Sequence, residues 1–66
     1  MKKGELELVT KELKEYCTEK SILYTESDIF LWAYELIQIL YSIGGCPTKR
    51  ILEKMIPVYM NDIVKG

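Results

Sequence analysis

Cys46 is the residue of this chain best placed for nucleophilic chemistry. It stands in the run Gly44-Gly45-Cys46-Pro47-Thr48-Lys49-Arg50, just ahead of a segment with helical periodicity. A helix N-terminus with two cations close by is a setting that lowers a thiol pKa. If exposed, such a thiol would be redox-sensitive or form a disulfide, whereas the simpler reading is a small residue that fits a tight turn. The same run would offer an anion free N–H groups at a helix start, although its spacing matches no phosphate-binding loop. Otherwise there is little for catalysis to work with. The chain has no His, no nucleophile elbow and no carboxylate pair spaced for acid–base work. Cys17 and Cys46 lie far apart and form no CxxC, so one chain assembles neither a zinc cluster nor a thioredoxin-type motif. The expectation is a non-enzyme with no catalytic residue, no metal and no cofactor.

The basic residues raise a different prospect. An apolar helix, a short Gly-containing turn and a following helix that opens with Thr48, Lys49 and Arg50 and continues to Lys54 have the outline of a helix-turn-helix. In that reading those four residues would touch phosphates or base edges. Against it stands the formal net charge of −1, because nucleic-acid binding by bulk electrostatics requires a basic surface. Residues 1–43 carry net −3 and residues 44–66 net +2, which is a mild asymmetry. Lys49, Arg50, Glu53 and Lys54 also suit the exposed side of an amphipathic helix.

A third set of residues points to binding rather than chemistry. Phe30, Tyr34, Ile37 and Tyr41 recur at spacings of four, three and four, which places them on one helical face. Tyr is enriched in the cores of protein interfaces, where one side chain supplies apolar area and a polar tip. These four are the expected partner-binding residues of a protein-interaction module, a small regulator or inhibitor that docks a helical surface onto another protein. The competing reading makes the same stripe an internal packing surface.

The elements that would position these residues are helical. From Glu5 to about Lys20, the residues Leu6, Val9, Leu13, Tyr16 and Cys17 recur every three or four positions, and Leu8 projects among acids on the opposite side. Thr25 and Asp28 have capping-box spacing, so a second helix is expected over 26–43, ended by Gly44-Gly45. This helix is apolar on two sides. One stripe holds Ile29, Trp32, Ala33, Leu36, Ile39, Leu40 and Ile43, and the other is the aromatic one, so the helix is expected to lie centrally between neighbours. Pro47 suits a first helical turn, with Ile51, Leu52, Met55 and Ile56 on the buried side. Pro57 should then kink the helix over 47–64 or divide it into 47–56 and 58–64.

The predicted fold is thus an all-α bundle of three to four helices in one domain, 1–66. A chain of 66 residues buries only ~60% of the surface it exposes when unfolded, so support from association is expected. A homodimer that joins the second helix of each copy through the Phe30-to-Tyr41 stripe would supply it. The charged N-terminal stretch Met1-Lys2-Lys3-Gly4-Glu5 does not read as a signal peptide. No apolar run approaches the ~20 residues that a bilayer requires. A cytoplasmic protein with reduced thiols is expected, and its small size would suit a viral or mobile-element origin.

Overall fold

The computed structural model describes residues 3–65, with side-chain surroundings for residues 4–64. Met1, Lys2 and Gly66 of the expected domain lie outside the described residues. Three helices follow one another: α1 (Lys3–Glu19), α2 (Glu26–Ser42) and α3 (Lys49–Lys65). Among the described residues there is no strand, and no helix is long and apolar enough to cross a membrane.

α1 ends on a residue whose role is invisible in its type. Ser21 adopts a positive φ of 57°, and the Ile22 N–H reaches back to the Cys17 carbonyl at 2.8 Å. This is the left-handed helix stop usually built on Gly. It turns the chain sharply enough that only four residues, 22–25, separate it from α2.

The caps of α2 are the expected ones. The Thr25 hydroxyl oxygen accepts from the Asp28 N–H at 3.1 Å while the Asp28 carboxylate accepts from the Thr25 N–H at 3.1 Å, so two free helix-end donors are satisfied reciprocally. At the other end Gly44 takes φ 82°. The Gly45 N–H then bonds to the Leu40 carbonyl at 2.8 Å and the Gly44 N–H to that of Tyr41 at 3.2 Å.

α3 departs from expectation at Pro47, whereas at Pro57 it takes the continuous form of the two that were expected. Its first residue is Lys49 and its cap is Thr48, whose hydroxyl oxygen accepts from the Ile51 N–H at 3.3 Å. Pro47 therefore precedes the helix. Pro57 neither divides nor ends α3, which runs through it to Lys65 without a fourth helix. The buried stripe Leu52, Ile56, Met60 holds both sides of the proline against the core, and that packing outweighs one missing backbone hydrogen bond.

The core consists of eleven buried apolar residues: Val9, Leu13 and Cys17 from α1, Ile29, Ala33, Leu36, Ile37 and Leu40 from α2, and Leu52, Ile56 and Met60 from α3. α1, and not the more apolar α2, is the shared element. It packs closely against both other helices, whereas α2 and α3 approach each other less. Position rather than apolarity decides this, because α1 presents fully buried side chains between two neighbours while α2 is covered on one side only. Ile39 and Ile43, expected in the core stripe, are accordingly exposed, while Leu8 packs half-buried against the core.

Candidate interaction surface

The aromatic stripe of α2 divides in the folded protein. Ile37 is buried and belongs to the core, which corrects its expected place at the surface. Phe30, Tyr34 and Tyr41 are 54%, 44% and 46% exposed, and Leu31, beside Tyr34 on the next helical row, is 57% exposed. The reason is geometric. Ile37 sits toward α1, whereas its three aromatic neighbours lie farther around the same helix, where no element covers them.

Each end of this flank is tied to α1. Phe30 borders a shallow depression formed with Leu6, Thr10 and Lys14, and the Lys14 ammonium lies 3.4 Å from the Glu26 carboxylate at the start of α2. At the far end the Tyr41 hydroxyl donates to the Glu5 carboxylate. That hydrogen bond, followed by desolvation and the Glu5 charge, holds the Tyr41 phenol protonated to higher pH than usual. The ring is consequently pinned at its tip while its face remains open. Rigid aromatic anchors of this kind lose little conformational entropy on binding.

Across α2, on the side toward α3, Glu35 accepts a hydrogen bond from the Tyr59 hydroxyl at 2.5 Å. Glu35 is the only Asp, Glu, Lys or Arg between Ile29 and Thr48. The Phe30–Tyr41 flank therefore carries no charged side chain of its own.

The residues of the helix-turn-helix reading are arranged differently from what that motif needs. Thr48 spends its hydroxyl on the cap of α3. Lys49, Arg50 and Lys54 are exposed, but Lys49 lies in a groove between α1 and α3 whose walls include Glu12, Glu15, Glu19 and Glu53. Those carboxylates would repel a phosphate backbone. The weak packing of α2 on α3 also leaves the two helices without the mutual support that the motif relies on.

Cys46 is exposed with a free thiol, and Cys17 is buried, where burial raises its pKa. Cys46 stands two residues before the Thr48 cap and so outside the first turn of α3, which it was expected to adjoin. Among the described residues no group of three or more His, Cys, Asp or Glu side chains is gathered as a metal would require. The aromatic periodicity alone leaves out Leu31, whose spacing of three from Tyr34 is the signal that joins it to the flank.

No protein-family model matches the chain, and neither does a curated protein or a solved structure.

Proposed function

We propose that this chain is a small, non-enzymatic protein-interaction module that works by presenting the Phe30–Tyr41 flank of α2 to a protein surface. One observation carries the reading. The eleven-residue core is complete without Phe30, Leu31, Tyr34 and Tyr41, which remain about half exposed side by side on one helix. Side chains that contribute little to the monomer and cost it an apolar surface are the mark of a contact site. Aromatic residues also dominate the binding energy of interfaces. A regulator or inhibitor of another protein fits this design, since occupying a surface needs no chemistry.

The reading is tested by replacing Phe30 and Tyr34 with Ala and following both helicity and association, for the purified protein and for the protein in cell extract. The expected result is loss of association with the helical fold retained. Melting of the monomer would instead make the flank part of the core and overturn the proposal. DNA binding is the weaker alternative, predicting salt-sensitive binding to duplex DNA that Lys49→Ala with Arg50→Ala abolishes.

A further inference from the structure

We propose that the groove between α1 and α3 is a second docking site, and that its occupant is a basic amphipathic helix of a partner protein. The groove has a volume of about 520 Å³. Its floor is apolar: Leu52 and Ile56 are buried, and Tyr16 and Pro57 are half-buried beside them. Its rim is acidic, with Glu12, Glu15 and Glu19 on the α1 side and Glu53 on the α3 side. Leu6, Thr10 and Lys14 of α1 border the aromatic flank, whereas Glu12, Tyr16 and Glu19 border the groove, so the two surfaces lie on different sides of α1.

Charge selects the partner. The groove sets four carboxylates against two cations, Lys20 and Lys49, a net of −2, whereas the whole chain carries −1. The acidic excess of the protein is therefore concentrated here. Among the described residues the one ion pair joins Lys14 to Glu26, so none of the four groove carboxylates has a cation within ion-pair distance. Lys20 lies instead 6.0 Å from the centre of the Tyr16 ring, whose face attracts a positive charge. Such a rim repels nucleic acid and anionic lipid and draws in Lys and Arg.

The apolar floor sets the form of that basic segment. Charge alone would be served by any cationic tail, but a floor of Tyr16, Leu52, Ile56 and Pro57 between acidic walls matches a helix with one apolar stripe and basic residues beside it. Glu12 and Glu19 stand two turns apart, ~10 Å at ~1.5 Å per residue, which is room for apolar side chains at i, i+3 and i+4. The trough between two packed helices is also the seat that a further helix takes in a bundle.

The test uses the full chain and a fluorescein-labelled synthetic helix of roughly four turns, about 14 residues, with Leu along one stripe and Arg and Lys on both sides of it. Anisotropy at low salt should show binding, with amide NMR shifts at Glu15, Tyr16 and Glu53. Glu15→Gln with Glu53→Gln, both exposed, should weaken it about threefold to tenfold. Glu7→Gln with Asp62→Asn, which removes the same charge from exposed sites elsewhere, should leave it nearly unchanged, and circular dichroism checks that both pairs keep the fold. The same peptide with Ser in place of Leu should bind far more weakly. Equal weakening by the two pairs would reduce the effect to general charge and overturn the site, and equal affinity of the Ser peptide would overturn the amphipathic occupant. Shifts at Phe30, Tyr34 and Tyr41 instead would move the peptide to the α2 flank and refute the groove while sparing the flank. No binding at low salt refutes the basic partner.

Discussion

Tyr59 of α3 and Glu35 of α2 are joined by a 2.5 Å hydrogen bond across the two helices that otherwise pack least on each other. Burial, the hydrogen bond and the Glu35 charge all push the Tyr59 phenol upward. The folded state thus holds this proton more tightly than the unfolded chain, whose tyrosines ionise near the ordinary value of ~10. The stability it contributes is present in full below that pH and is lost as pH rises toward the folded-state value. Tyr59→Phe should lower stability by about 1 kcal/mol at neutral pH. It should also flatten the loss of stability above pH ~10, checked by urea titrations at neutral and alkaline pH. An unchanged alkaline limb would remove Tyr59 as its source.

The two helix stops make opposite predictions. Ser21 at φ 57° carries a side chain where Gly is favoured, so Ser21→Gly should stabilise the fold by roughly 0.5–1 kcal/mol. Gly44 at φ 82° has open space around the position of a Cβ, so Gly44→Ala meets only backbone strain and should cost about 1–2 kcal/mol. Gly45 lies outside the positive-φ region and a Cβ there would make ordinary contacts with Leu40. Gly45→Ala should be close to neutral, and thermal melts of the three variants rank them.

Pro57 lies inside α3, where it has no backbone N–H to donate and where its ring crowds the preceding turn, both of which cost helix stability. Pro57→Ala should raise stability by about 1–3 kcal/mol through a restored backbone hydrogen bond and better helix propensity. Pro57 also lines the groove against α1, so a fall in melting temperature would show that its packing there exceeds the backbone cost.

Leu13 and Leu36 are fully buried on facing helices. Truncating either to Ala should cost about 2–5 kcal/mol, a large share of the ~3–10 kcal/mol that a domain of this size commands. Tyr34→Ala, in contrast, should cost the purified protein at low concentration less than about 1 kcal/mol. Denaturant midpoints separate the two cases, and similar losses at Leu13 and Tyr34 would contradict the division between core and flank.

Much of the helical layout was legible because its signals are local. Thr25 and Asp28 form their capping box over three intervening bonds' worth of chain, and Gly44-Gly45 closes the same helix within one turn. The apolar rows Val9, Leu13, Cys17 and Leu52, Ile56 likewise announce their helices through spacing alone. Ser21 gave no comparable signal, because a Ser is compatible with many backbone conformations and only the chain's path forces it left-handed.

What the amino-acid sequence determined by itself is therefore the helical class, the approximate bounds of each helix and the set of residues on each helical face, since capping and 3.6-residue periodicity act within a few turns. Tertiary structure alone decided which faces are covered. Ile37 and Tyr34 share a stripe in the sequence, yet one is buried and the other about half exposed. The more apolar α2 yields the central place to α1, and Pro57 is carried through a continuous helix. Periodicity gives the angle of a side chain around its own axis, but burial depends on which neighbour lies at that angle, and that is a property of the packed chain as a whole.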